Sequence, residues 1–205
     1  MNYDNTKQYN RGKDILYFNK LLSLISITFI LVIILILLFT CNVQAFDERI
    51  QSTIQENRNP LLDHFMDSVT HLGDGFITGG VALSIPDIQA QEHALKSQLV
   101  NFIATSFLKV SIGRQRPSSY NLQSDNFKTF QLNSSYHSMP SGHTSAAFAL
   151  ATSISESYPE YRRIVYTLAC MVAFSRIYRN NHWTTDVIVG AGVGYLSAKF
   201  VSYHW

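Results

Sequence analysis

Residues 140–157 read PSGHTSAAFALATSISES. Ala146, Ala147, Ala149 and Ala151 are strong helix formers and predict a helix over about 141–157, with Pro140 and Gly142 at its mouth. The first turn of a helix holds N–H groups with no intrahelical partner, which suit an anion. Gly142 lets the backbone approach a ligand closely, Ser141 supplies a hydroxyl donor, and His143 follows at once. An ordinary Ser/Thr cap beside an incidental histidine has the same local sequence. The stretch therefore predicts a helix, and its chemistry depends on what the rest of the chain brings to it.

Working outward, the pattern stays helical. Two further helices are predicted downstream, over about 160–177 and 184–203. Upstream, residues 118–139 are rich in Ser, Asn, Gln and Tyr and read as a loop. Before it a helix is expected over 91–112, carrying Leu95, Leu99, Phe102, Ile103, Phe107 and Leu108 and stopped by Gly113 and Pro117. Residues 76–85 are apolar and end at Pro86-Asp87. Gly73-Asp74-Gly75 breaks a helix carrying Leu61, Leu62, Phe65, Met66 and Val69, and Asn59-Pro60 is a turn after an amphipathic stretch over 46–56. No alternating strand pattern or repeat is present, so the fold class is all-α. Gly190-Ala191-Gly192-Val193-Gly194 has Tyr195 where a dinucleotide motif needs spacing to a third glycine, and reads instead as a small face for close helix packing.

The N-terminal end has a different character. Residues 1–20 form a polar tail in which Lys7, Arg11, Lys13 and Lys20 outnumber Asp4 and Asp14. Leu21 to Phe39 is nineteen residues without a charge, long enough for a transmembrane helix over 21–40. The basic flank keeps the tail in the cytoplasm and exports residues 46–205. Val43-Gln44-Ala45 also resembles a signal-peptide cleavage site, and cleavage there would release the same residues to the periplasmic side. In the later helices, the intervals Lys96 to Lys109, Arg163 to Arg176 and Asp186 to Lys199 each enclose twelve uncharged residues, short of a span, and predict buried helices of a compact bundle, with shallow embedding in the membrane as the alternative. The 205 residues are 46% hydrophobic and only 15% charged, which suits a chain working at a membrane. A net charge of +2 with no basic block argues against nucleic acid as a partner. Two cysteines, Cys41 and Cys170, exclude a disulfide scaffold or a cysteine zinc cluster.

Three clusters concentrate cations, histidines and small residues. Lys109-Val-Ser-Ile-Gly-Arg-Gln-Arg116-Pro117 ends one helix, where a cation ordinarily compensates the dipole. Pro140-Ser141-Gly142-His143 opens the next. Ser175-Arg176-Ile-Tyr-Arg-Asn-Asn-His182-Trp-Thr-Thr-Asp186 joins the last two, with Asp186 four residues after His182 and so on the same helical face. A carboxylate there can accept from one ring nitrogen and leave the other unprotonated. Each cluster alone has a bland reading as a cap or a solvated end. Together, three cations and a helix N-terminus describe a site for a tetrahedral oxyanion, and two histidines describe a nucleophile and an acid.

This arrangement resembles the type 2 phosphatidic acid phosphatase (PAP2) and haloperoxidase-like superfamily, whose pattern is K-x6-RP, then PSGH, then SR-x5-H-x3-D. Residues 109–186 match all three parts in order without a departure. The resemblance implies a helical bundle in which Lys109, Arg116, Arg176, Ser141 and the Gly142 amide hold the phosphate. It implies that His182 attacks phosphorus, Asp186 orients His182, and His143 protonates the leaving group and then activates water, with no metal and no cofactor. Arg114 and Arg179 lie between matched positions and either add field or are solvated. His93, His137 and His204 are expected at the surface, His137 near enough to the loop to touch substrate; Trp183 and Tyr178 are expected in the core.

The reading is a phosphatase of phosphate monoesters or diphosphates. Its first substrate class is a phosphorylated lipid, because a membrane holds the enzyme, and its second a small soluble phosphomonoester. A vanadate-dependent haloperoxidase would use the same pocket with His182 as ligand, but the chain is short for it. A non-catalytic membrane interaction protein has no need of both histidines.

Overall fold

The computed structural model describes residues 43–119 and 124–204. The expected polar tail and span over 1–40 lie outside them. Residues Gln44–Trp205 form one compact unit, distinct from Met1–Val43. The described residues are helical, with no strand beyond an isolated bridge between Arg114 and Phe127.

Punctuation residues set the element ends. A first helix, α1, covers 43–56. Asn59 caps α2 (Pro60–Thr70) by accepting from Leu61 N, with proline in the first turn, where its missing N–H costs nothing. The Gly73-Asp74-Gly75 break is a short 3₁₀ turn, His71–Gly73, followed by Asp74 as cap of α3 (Gly75–Leu83). Asp87 caps α4 (Ile88–Ile112) through Ala90 N. Gly113 ends α4 at φ 61°, the left-handed conformation that glycine adopts freely. After the loop come α5 (Gly142–Ser157), α6 (Arg162–Tyr178) and α7 (Thr184–His204).

Helix α5 packs against α4, α6 and α7, and α2 packs on α6. The two glycines that read as a packing face are one. A Cβ at Gly194 would stand 2.1 Å from Ser145 O, and one at Gly190 would stand 2.7 Å from Ser141 O. Gly192, between them, faces open space.

The compact bundle is present, with Trp183, Tyr178, Val172 and Met66 buried in it, but the large apolar residues on one face of α4 are not inside it. The buried residues of α4 are Ala90, Ala94, Ser97, Asn101 and Thr105, whereas Leu99, Phe102, Ile103 and Phe107 are all at least 60% exposed. The same holds on α7, where Gly190, Gly194, Ser197 and Ala198 are buried and Ile188, Leu196 and Phe200 are exposed. Small residues let the backbones approach closely, and buried hydroxyls such as Thr152 and Ser153 return their protons to carbonyls one turn back. Among the described residues no helix is long and apolar enough to cross a membrane.

Candidate active site

The chain reversal places five helix ends together. Lys109 ends α4, Gly142 and His143 open α5, Arg176 lies near the end of α6, Asp186 lies in the first turn of α7, and Thr70 ends α2. Residues matched far apart in sequence thus share one end of the bundle.

The cations come first. Lys109 Nζ donates to His137 O at 2.8 Å and to Pro140 O at 2.6 Å, which fixes it beside the start of α5. Burial lowers its pKa to about 7, the charges of Arg116 and Arg176 pushing the same way and Asp186 opposing. Arg116 reaches the carbonyls of Asn181 and His137, both at 3.4 Å. Arg176 is buried, donates through Nη1 to Thr70 Oγ1 at 2.6 Å, and leaves Nε buried without a protein partner. Burial lowers all three cations, and the charge of Arg116 lowers Lys109 and Arg176 further, an arrangement that an incoming anion relieves.

Ser141 is fully buried and precedes α5, yet its side chain does not cap the helix. Its Oγ instead accepts from Thr144 Oγ1 at 2.9 Å, and its N–H donates to Asp186 O at 2.9 Å. The start of α5 is therefore bound to the start of α7. A Cβ at Gly142 would stand 3.6 Å from Lys109 Cε, so this glycine lies directly beside the cation.

His182 is 2% exposed. Burial lowers its pKa to about 3, Lys109 and Arg116 adding to the effect and Asp186 opposing it, so the ring is neutral over ordinary pH. Its Nδ1 stands 3.7 Å from Asp186 Oδ2, longer than a hydrogen bond, and has no other partner. Asp186 Oδ2 accepts instead from Ser138 Oγ at 2.5 Å and from Trp183 N at 2.9 Å. Burial alone would raise the Asp186 carboxyl, but His182, Arg114 and Ser138 outweigh it and hold it below its ordinary range. His143 is half-buried; burial lowers it to about 4, with Arg176, Lys109 and Arg116 adding to the shift and Asp74 opposing.

A cleft of about 680 Å³ opens onto this cluster between α3, α4 and α5. Lys109, Gly142 and His143 line its inner end, and Phe76, Leu99 and Phe102 line its apolar wall.

The eight residues to which the match gives site roles are thus gathered around one end of the bundle. Thr70 under Arg176, Ser138 under Asp186 and Asp47 behind Asp186 join them without a signal in the sequence, and Arg114, open to two readings, joins Asp47 there. Arg114 is not solvated, as one reading allowed, but 2% exposed between two carboxylates. Its separation from Asp47 by 67 residues hides the pair from any local pattern. Arg179 pairs with Asp67 at 2.9 Å in a half-exposed position. His137 turns its ring to Gln131 O and serves the site through its carbonyl, while His93 is half-buried beside Glu156 and Ser202. Trp183 and Tyr178 are buried, as expected.

The chain is 39% identical over 92 residues to a lipid A 1-phosphatase of Porphyromonas gingivalis, covering 43% of this chain and 18% of that one. A lipid A 4′-phosphatase of the same organism is 30% identical over 129 residues, covering 62% of this chain and 50% of the relative. The chain spans at most half the length of these relatives. The crystal structure of Aquifex aeolicus LpxE superimposes with a TM-score of 0.67 at 23% identity, covering 78% of this chain and 96% of that one. A transmembrane PAP2-type phosphatidylglycerolphosphate phosphatase from Bacillus subtilis superimposes with a TM-score of 0.58 at 26% identity, covering 79% and 85%. The sequence model of the PAP2 superfamily matches residues 94–205, more than half of the chain, and to that superfamily the chain belongs.

Proposed function

We propose that this chain is a metal-independent lipid phosphatase that releases phosphate from monoesters or diphosphates through a phosphohistidine at His182. The observation that carries the reading is the junction of two environments: Lys109 and His143 in the cleft lining, coupled by charge to Arg116 and Arg176 and, through Lys109, to His182, and an apolar wall of Phe76, Leu99 and Phe102 beside them. A phosphate head needs the first and a lipid tail the second. The relatives named as lipid A phosphatases make a bulky phosphorylated lipid the first substrate class, and a small soluble phosphomonoester the second.

Lys109, Arg116, Arg176, Ser141 and the Gly142 amide hold the phosphoryl oxygens, whose charge spreads in the transition state. The neutral ring of His182 attacks phosphorus, and the P–O bond to the leaving group breaks. Asp186 stabilises the ring cation that results. His143 gives its proton to the leaving oxygen, then takes one from the water that cleaves the P–N bond. With a pKa of about 4 it is unprotonated in the free site at neutral pH, so the negative charge of the bound phosphate must supply its affinity for that proton.

The exposed apolar residues of α3, α4 and α7 lie against lipid, a second membrane contact besides the expected span over 21–40. Residues 46–205 lie outside the cytoplasm, by the charge asymmetry around that span.

Phosphate release from phosphatidic acid in mixed micelles, from a lipid diphosphate and from p-nitrophenyl phosphate tests the reading. Release by the wild type and none by His182→Ala is expected. Equal release by both proteins would overturn the phosphohistidine route, and turnover of the aryl phosphate alone would overturn the lipid one.

A further inference from the structure

We propose that Arg114 and Asp47 are positioning residues for the nucleophile, forming with Asp186 a buried carboxylate–guanidinium–carboxylate row that fixes Asp186 behind His182. The inference rests on the reading of His182 as nucleophile.

Arg114 follows the left-handed Gly113 turn, which aims its side chain back under the site. Nη1 donates to Asp186 Oδ1 and to Thr185 Oγ1, both at 2.7 Å, Nη2 donates to Asp47 Oδ2 at 2.7 Å, and Nε donates to Ser124 O at 2.8 Å. Its guanidinium carbon lies 5.5 Å from the ring centre of Phe127 and 5.6 Å from that of Trp183. Asp47, on α1, is fully buried; Oδ1 accepts from Thr185 N at 2.9 Å, and Oδ2 also accepts from Thr185 Oγ1. A helix outside the matched motifs therefore caps the helix that carries Asp186 and shares a cation with it.

The charges argue for more than support. Two carboxylates and one guanidinium leave the row with one net negative charge. Attack by His182 creates one positive charge on the ring, next to Asp186, and the row then balances. The other charged groups facing His182 are Lys109 and Arg116, both cationic and both on the phosphate side. Glu48 faces away, accepting from Ser124 N and Oγ. The excess negative charge is thus on the side of the ring where the new charge appears, and Arg114 sets how much of it Asp186 presents.

The test is a double-mutant cycle on the full chain, with p-nitrophenyl phosphate as probe and melting temperature recorded for each protein. Arg114→Met leaves two carboxylates without their cation. It should lower kcat roughly ten- to hundredfold at little-changed KM, as a displaced catalytic group does. It should also move the acid limb of kcat/KM up by about one pH unit, because the added negative charge favours protonated His182. Adding Asp47→Asn should return that limb toward the wild type. Arg114→Lys keeps the charge but not the fork, so kcat should fall while the limb stays. If Arg114→Met does not fold, Arg114→Lys and Asp47→Asn decide by the kcat-against-KM split. Variants that melt earlier but keep the wild-type kcat and acid limb would show that the row is only structural, and the proposal would fall while an inactive His182→Ala left the site reading standing. An active His182→Ala would overturn both.

Discussion

A single methyl group placed outside the site should damage it. Gly190 lies on α7 against the residue that opens α5, and a Cβ there would stand 2.7 Å from Ser141 O, 3.2 Å from its N and 3.3 Å from its Cβ. Real Cβ contacts essentially never fall below 3.0 Å, so either Ser141 or α7 must yield by several tenths of an ångström. Both are backbone-anchored, because Ser141 N donates to Asp186 O at 2.9 Å. Gly190→Ala therefore strains the joint between the phosphate-binding segment and the helix carrying Asp186. Overpacking of this kind costs about 1–3 kcal/mol. Alanine regains about 1 kcal/mol in helix propensity, which leaves a net cost of up to about 2 kcal/mol. For a chain of this size that lowers the melting temperature by up to about 8 °C. Displacement of Ser141 and Gly142 relative to His182 should cut kcat by about tenfold or more, since catalysis falls steeply with misplacement. Gly192→Ala is the matched control: it meets nothing within 4 Å and should be neutral or slightly stabilising. Melting curves and phosphate release on both proteins check the argument. Wild-type kcat in Gly190→Ala, or equal damage from Gly192→Ala, would refute it.

Three further outcomes are expected. Activity should survive EDTA and be inhibited by vanadate, because the matched motifs supply cations where a two-metal phosphatase supplies carboxylates; loss on chelation restored by magnesium or zinc would contradict the mechanism. His143→Ala should lose roughly 10²–10⁴-fold on an alkyl or lipid phosphate and less on an aryl phosphate, whose leaving group needs little acid; in the wild type, kcat/KM for the alkyl substrate should rise as pH falls from 7, where Lys109 gains its charge, toward the His143 pKa of about 4, and drop only near that of His182, about 3. Phe107→Asp, on the exposed face of α4 and away from the cleft lining, should weaken binding to phospholipid vesicles without changing turnover of p-nitrophenyl phosphate, and unchanged vesicle binding would remove the lipid contact.

Much of the fold was legible because its boundaries are chemical. Asn59-Pro60, Asp74, Asp87 and Gly113 each end or start a helix by a local rule, and each does so here. Gly190 and Gly194 read as a packing face and are one. The inside and outside of α4 were not legible. Periodicity groups Leu99, Phe102, Ile103 and Phe107 on one face, but whether that face meets protein or another apolar medium is decided by the neighbours, and here it is the face of Asn101 and Thr105 that is buried. The eight site residues were readable as a spaced pattern, since a catalytic constellation on helix ends leaves its spacing in the sequence. Thr70, Ser138 and Asp47 were not, and Arg114 was open to two readings, because each acts through long-range bonds that no interval records.

The small-residue interior has a thermodynamic consequence. The heat capacity of unfolding grows with the apolar surface newly exposed to water, about 12–15 cal/mol/K per residue in an ordinary globular protein. In this bundle, away from lipid, the large apolar residues on the outer faces of α4 and α7 already meet solvent, and unfolding of α4, α5 and α7 would newly expose mostly alanine, glycine, serine and threonine. Its stability curve should therefore be flatter with temperature, and its denaturant slope shallower, than its length suggests. The fold is held by close dispersion contact and hydroxyl–carbonyl bonds more than by the release of water, a balance that keeps its strength on cooling.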